Sequence, residues 1–275
     1  MSPRRLGQHF LNDRNILRRI VDALEPARTD VVIEVGAGRG SLTRALAPRV
    51  LQVIAIEKDP RLAAMLLEEK NRPGSDDLRN VVVVQADALL CDWQDFGSDF
   101  PAQALENDAF VPKYVGNIPY NITTPLIDHL LEPPLPERIV FLMQEEVADR
   151  VVAGPGSKTY GGLSVGVQVL CRAEKLFTVL PGSFDPPPSV RSAVLRLVPR
   201  PDALIDPWTE GESLRRFVTA CFSRRRKQLR NVLRAVTGRS AADVTAALTR
   251  LGIDPMARPE TLAPATFVAL LHWTR

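Results

Sequence analysis

The tetrapeptide Asn117-Ile118-Pro119-Tyr120 follows the mostly apolar run Phe110-Val111-Pro112-Lys113-Tyr114-Val115-Gly116, and its residue types suit an exposed, flat amine. The side-chain oxygen of Asn117 and the backbone oxygen of Ile118 or Pro119 offer a pair of hydrogen-bond acceptors, while Tyr120 offers a stacking face. Such a set matches the exocyclic NH2 of adenine or cytosine and would make Asn117, Pro119 and Tyr120 the reacting end of a site. The same four residues also suit a plain strand-end turn, because Asn and Pro favour turns and Tyr is a frequent half-buried core ring.

A second constellation lies upstream, where Val31-Val32-Ile33-Glu34-Val35 runs into Gly36-Ala37-Gly38-Arg39-Gly40 before a helical pattern. Glycines in a strand-to-helix turn let the backbone approach a ligand closely. Their alternate spacing, with an acid two residues before the first glycine, differs from the GxGxxG of dinucleotide sites and favours S-adenosylmethionine over NAD. Glu57 ends the next β-branched run, 21 residues beyond Gly36, where doubly wound folds place a carboxylate that accepts from both ribose hydroxyls. Asp87, in Gln85-Ala86-Asp87-Ala88, ends the third run and is placed to accept from the cofactor's adenine amine. Either acid alone reads as a solvated strand-end carboxylate; together and in this order they indicate a nucleotide cofactor.

The elements that must position these groups follow from periodicity. Short β-branched runs at Val31 to Val35, Val53 to Ile56, Val81 to Val84, Phe110 to Val115 and Ile139 to Met143 alternate with helical spacing at Ser41 to Val50, Pro60 to Lys70 and Thr124 to Leu131. That alternation predicts a Rossmann-like α/β fold with a mostly parallel, seven-stranded sheet and right-handed crossovers. Leu163 to Leu170 and Ser192 to Val198 also read as strands, and the lack of a convincing helix between them predicts an antiparallel edge pair. Prolines bracket a polar break at Pro199-Arg200-Pro201-Asp202, which sets the expected boundary between a catalytic domain, 1–199, and a small all-helical domain, 200–275. Helices are expected at about Gly211 to Ser223, Lys227 to Thr237, Ala241 to Leu251 and Ala265 to Trp273, with Gly238 and Gly252 as stops.

Composition narrows the class. The 275 residues are 45% hydrophobic and 24% charged, as in ordinary globular proteins, and a net charge of +3 requires any polyanion site to come from local clustering. Cys91, Cys171 and Cys221 lie far apart with only three histidines to assist, so neither a disulfide framework nor a metal site is expected. Arg4 and Arg5 precede no apolar stretch, and no window approaches a membrane span, so a cytoplasmic, membrane-free setting is expected. Clustering does occur at Arg224, Arg225, Arg226, Lys227, Arg230 and Arg234, with no acid between Ser213 and Ala242. The spacing of Arg226, Arg230 and Arg234 predicts one helical face and a phosphate-binding surface, against the plainer reading of a solvated face. The loop Gly154 to Gly162 reads either as a mobile substrate lid with Lys158 on a phosphate or as a flexible turn.

These segments, taken in order, resemble the small-subunit (16S) ribosomal RNA adenine N6,N6-dimethyltransferases, the KsgA/RsmA type. The resemblance covers nearly the whole chain: Gly7-Gln8-His9-Phe10-Leu11, Glu34 to Gly40, Asn117 to Tyr120, the proline-rich Phe184 to Ser192, and Phe222 to Leu229. It implies that His9 and Leu11 touch the donor, that Gly36 packs beneath its amino-acid end with Gly38 and Ala88 in the same set, and that Glu57 and Asp87 hold its ribose and adenine. Asn117 would then serve both substrates. The family often has asparagine where this chain has His9, which reads as a general base or as a positioning group. Phe184 would border the target-base pocket or pack as a core aromatic. The resemblance further implies S-adenosylmethionine as donor, small-subunit rRNA in a pre-ribosomal particle as substrate, and a working unit of one chain. Two alternatives remain: a macrolide-resistance methyltransferase acting on large-subunit rRNA, which shares the donor loop and catalytic motif, and a non-catalytic RNA-binding assembly factor.

Overall fold

A computed structural model describes residues 8–74, 76–91 and 111–275. Gly7 of the N-terminal motif and Phe110 of the fourth expected strand lie outside the described residues. Contacts divide the chain into two compact units, one of Met1–Leu130, Pro134–Ala148 and Glu174–Val198, the other of Leu131–Pro133, Asp149–Ala173 and Pro199–Arg275.

The first unit begins with β1 (Phe10–Leu11) and α1 (Arg14–Ala23), whose N-cap Asp13 accepts from the Asn15 and Ile16 N–H groups. The β-branched runs then form β2 (Val31–Val35), β3 (Gln52–Glu57), β4 (Val81–Gln85), β5 (Lys113–Asn117) and β6 (Arg138–Gln144), interleaved with α2 (Ser41–Leu46), α3 (Pro60–Lys70) and α4 (Thr123–Leu130). The helical pattern to Val50 is completed by a 3-10 turn at Ala47–Arg49, since Pro48 cannot donate to a longer α-helix. The sheet reads β4-β3-β2-β5-β6 in parallel register. Every residue of β2 is buried, as expected where helices cover both faces.

The far side of the sheet corrects the sequence reading. Leu163 to Leu170 is not a strand: α6 (Gly162–Gln168), after α5 (Glu145–Val152), occupies that stretch. Alternating Leu163, Val165, Val167 and Val169 mimic a strand, but Ser164 captures the local backbone. Its Oγ accepts from the Gly161 N–H at 3.1 Å and donates to the Arg150 carbonyl at 2.5 Å. The edge is formed by β7 (Cys171–Val179), whose charged residues hid it from a hydrophobic pattern. After β8 (Phe184–Asp185), β9 (Ser192–Pro199) runs antiparallel to β6 and beside β7. The pair β1–β8 forms a separate antiparallel ribbon, Phe10 opposite Asp185 and Leu11 opposite Phe184.

In the second unit α7 (Pro207–Phe222), α8 (Leu229–Thr237), α9 (Ala241–Arg250) and α10 (Pro264–Thr274) match the expected tail helices. Gly238 and Gly252 stand just past α8 and α9 with φ of 71° and 68°, the left-handed stops that glycine alone adopts without strain. The core is aromatic: Tyr160 meets Phe222 edge-on at 5.9 Å, Phe222 stacks on Phe267 at 5.5 Å, and the Tyr160 hydroxyl donates to the Leu262 carbonyl.

One glycine sets how closely two central strands approach. A Cβ on Gly116 of β5 would sit 2.3 Å from the Val35 carbonyl oxygen of β2. Gly116→Ala should therefore lower the melting temperature, with a cost of about 1–3 kcal/mol from overpacking. Gly154→Ala, where a Cβ meets nothing within 4 Å, is the control and should melt as wild type. Indistinguishable calorimetric midpoints for the two variants would remove the assigned constraint.

Candidate functional site

Strand order reverses between β2 and β5, and a cavity opens in the first unit at the carboxyl ends of β2, β3 and β5, where open α/β sheets bind ligands. His9, Leu11, Gly36, Gly38, Glu57, Asp87, Ala88, Asn117, Pro119 and Tyr120 all contribute to its wall. Thus ten positions spread over more than a hundred residues of sequence converge on one space.

The glycine turn forms the floor. Gly36, Gly38 and Gly40 have φ of 75°, 56° and 75°, and the Gly36 and Ala37 N–H groups both donate to the Ile56 carbonyl, at 2.8 and 3.1 Å. A Cβ on Gly38 would press on the Phe10 ring at 3.2 Å, so the bare backbone there lets β1 close over the turn. Glu57 spans the same region, Oε2 accepting from the Gly38 N–H at 2.7 Å and Oε1 from the Asp59 N–H at 2.8 Å. Burial raises its pKa, and these backbone bonds oppose the rise. Each oxygen retains a further lone pair for a ligand.

Two other acids complete the electrostatics. Asp87 pairs with Lys58 at 2.6 Å, and this bond holds its carboxyl below the usual range; its second oxygen accepts from the Leu89 N–H at 3.2 Å. Glu34, which the sequence marked only as the acid before the glycines, also lines the cavity and is 1% exposed. Burial pushes its pKa up to about 8, against a 2.6 Å hydrogen bond from Thr43 and with the nearby Glu57 charge adding to the rise.

Around the tetrapeptide, the Asn117 Nδ2 donates to the His9 carbonyl at 2.7 Å, which orients the amide and leaves Oδ1 as its acceptor. The Pro119 carbonyl accepts from the Ile122 N–H at 3.1 Å and the Thr123 hydroxyl at 3.2 Å, starting α4. Both its lone pairs are engaged, so Ile118, which also lines the cavity, is the residue whose carbonyl suits a ligand amine. Tyr120 is half-buried; its hydroxyl lies 2.7 Å from Ser192 Oγ and its ring centroid 6.0 Å from that of His9. The His9 Nδ1 donates to the Pro186 carbonyl at 2.8 Å, because a carbonyl only accepts. Ser192 carried no signal in the sequence, since its partner lies 72 residues away.

Other expected residues sit elsewhere. Phe184 is 5% exposed, lies in the apolar core beside Leu11 and is not among the residues that line this cavity. In the second unit, Arg226 does not share a helix with Arg230 and Arg234: α8 starts only at Leu229, and residues 223–227 form a turn. Arg224, Arg226, Lys227, Arg230, Arg234 and Lys158 are exposed. Arg225 is not displayed like them, because its guanidinium pairs with Glu260 and donates to the Ser157 and Lys158 carbonyls at 3.2 and 3.0 Å. With the Gly156 N–H on the Glu260 carbonyl at 2.7 Å, the loop from Gly154 is fastened at several points, unlike a free lid.

A family model for ribosomal RNA adenine dimethylase matches residues 2–274. Ribosomal RNA small subunit methyltransferase A of Nitrosococcus oceani is 41% identical over 98% of this chain and 95% of its own. Its counterpart in Acidithiobacillus ferrooxidans is 43% identical over 99% and 94%. Among solved structures, a dimethyladenosine transferase from Plasmodium falciparum superposes with a TM-score of 0.76 at 27% identity, covering 96% of this chain and 97% of its own. The 23S rRNA methyltransferase ErmE superposes with a TM-score of 0.71 at 29% identity, covering 96% and 98%. No helix among the described residues is long and apolar enough to cross a membrane.

The buried Glu34 gives the site a pH signature. Its folded pKa of about 8 lies above the ordinary 4.5, so the native state holds a proton that the unfolded chain releases. Its contribution to stability is therefore full below pH 4.5 and declines as pH rises towards 8, with a slope approaching about 1.4 kcal/mol per pH unit. Denaturant unfolding at pH 5, 6, 7 and 8 should show this decline in wild type and a shallower one in Glu34→Gln. Equal slopes would refute the assignment.

Proposed function

The chain belongs to the ribosomal RNA adenine dimethylase family, and on that basis we propose that the cavity holds S-adenosylmethionine and that the enzyme dimethylates N6 of two adjacent adenosines near the 3′ end of small-subunit rRNA. The observation that carries this reading is the Asn117 amide, whose nitrogen is committed to the His9 carbonyl and whose oxygen is left to accept from an amine.

The residues present fit the donor. A side-chain-free turn at Gly36 and Gly38 suits its amino-acid end, Glu57 its ribose and Asp87 its adenine, with His9, Leu11 and Ala88 around it. When bound, the donor supplies an electrophilic methyl group on a sulfonium. Asn117 Oδ1 and the Ile118 carbonyl then accept from the target NH2. Two acceptors draw the amine out of conjugation with the ring, expose its lone pair and stabilise the positive charge that develops there. Holding the amine in line with the methyl group supplies much of the rate. No base is needed before attack, because the resulting ammonium is acidic and loses its proton to water. Tyr120 stacks on an adenine withdrawn from its helix, a contact that contributes about 1–3 kcal/mol.

The exposed Arg224, Arg226, Lys227, Arg230, Arg234 and Lys158 supply phosphate contacts to rRNA in a pre-ribosomal particle, while Arg225 supports them by fastening the loop that carries Lys158. The working unit is a single chain in the cytoplasm. The proline-rich Phe184 to Ser192 and basic Arg224 to Leu229 segments favour the small subunit over the large, and the intact set Gly36, Glu57, Asp87 and Asn117 favours catalysis over binding alone.

Labelled methyl groups offered with purified, unmethylated ribosomal subunits should enter the small subunit as dimethyladenosine; label confined to the large subunit would overturn the substrate assignment. Asn117→Ala should lower transfer by at least about 10²-fold while donor and RNA binding persist, and near-normal turnover would dismiss its role. Glu57→Ala should weaken donor binding by about 10- to 100-fold in calorimetry; an unchanged affinity would remove Glu57 from the ribose site.

A further inference from the structure

Tyr120 lies in the turn that enters α4, a position from which a ring fastened only at its Cα swings about two side-chain torsions. The structure fastens it at the other end as well: its hydroxyl is 2.7 Å from Ser192 Oγ. Ser192 is 1% exposed, opens β9 and faces Gln144 of β6 within the main sheet. The residue before it is also anchored, because the Arg191 carbonyl accepts from the Glu145 N–H at 3.0 Å and the Arg191 Nε lies 2.7 Å from Glu145 Oε2. Glu145 is held in turn by Thr178 and Lys175. The hydroxyl that meets Tyr120 therefore belongs to rigid scaffold. The same segment reaches the neighbouring ring, since the Pro186 carbonyl holds the His9 Nδ1 at 2.8 Å.

We propose that Ser192 is a positioning residue for methyl transfer, acting through Tyr120: its hydroxyl fixes the plane of the ring on which the adenine stacks and thereby the angle at which the amine meets Asn117. The inference rests on the methyl-transfer reading above. Placement of a stacked base follows the plane of its platform, and an amine displaced from line loses rate before it loses affinity. Because the bond links two neutral hydroxyls, removing either one loses the same interaction.

The test is a double-mutant cycle on the full-length enzyme with unmethylated small subunits, comparing wild type, Ser192→Ala, Tyr120→Phe and the double variant in single-turnover transfer at saturating donor and RNA. Each single variant should slow transfer by about 3- to 10-fold, and the double variant no further. Donor affinity by calorimetry should stay within about twofold of wild type in all three. Ser192→Thr, which keeps the hydroxyl, should restore most of the rate. Tyr120→Phe breaks the bond without touching β9, so the proposal stays testable even where Ser192→Ala fails to fold. Wild-type rates in both single variants, or losses that multiply in the double variant, would overturn the role of Ser192 while leaving the function standing. So would a lowered melting temperature with an unaltered rate in the folded Ser192→Ala enzyme, the result of a purely structural part. A wild-type enzyme that transfers no methyl group to adenine would instead remove both the function and the inference.

Discussion

The bond from the Asn117 side chain to the His9 carbonyl organises the site. An asparagine amide presents a donor or an acceptor with equal ease, and only its surroundings decide which. Here the carbonyl at the end of an N-terminal segment takes the nitrogen, so the chemistry at the end of β5 depends on how that segment is laid down. The segment is in turn held by pairing of β1 with β8, by Phe10 against bare Gly38, and by Arg39, which stacks over Phe10 at 4.2 Å and pairs with Asp185 at 3.2 Å. A polar contact at the centre is thus maintained by apolar, cation–π and ionic contacts around it.

Three acids line one cavity without sharing one state. Glu34 is desolvated and retains its proton towards neutrality, Glu57 is restrained by two backbone donors, and Asp87 is kept ionised by Lys58. Three ionised carboxylates in one such space would repel one another strongly. Different partners lessen that repulsion while keeping acceptors along the ends of β2 and β3 and just beyond β4. The arrangement suits a ligand that is cationic at one end and rich in hydrogen-bond donors along its length.

Much of the parallel sheet was legible because its strands are mostly apolar runs bounded by turn residues, even though β5 includes Lys113 and β2 includes Glu34. The cavity was legible for a related reason: doubly wound topology brings strand ends together, so Gly36, Glu57, Asp87 and Asn117 were placed by order alone. Failures arose where side-chain partners or charge, rather than the hydrophobic pattern, decided the local structure. Ser164 turned an alternating run into a helix, and charged residues concealed β7 because an edge strand does not bury both faces. Within the basic run, Arg225 carries the same charge as its neighbours, and its partners Glu260, Ser157 and Lys158, the nearest of them 35 residues away, distinguish it. Ser192 was silent because a hydroxyl in a strand does not declare what lies across the fold.

Pro119 gives the tetrapeptide a last consequence. With its carbonyl consumed by the first turn of α4, Pro119 leaves the proposed amine-holding pair to one side-chain oxygen and the main-chain oxygen of Ile118. Every amino acid carries the latter. Selection on side chains therefore sees only half of this device directly, at Asn117; the other half is inherited with the bend of the backbone. A survey of sequence variation would score Ile118 by its packing in the core and give no hint of the part proposed for its carbonyl.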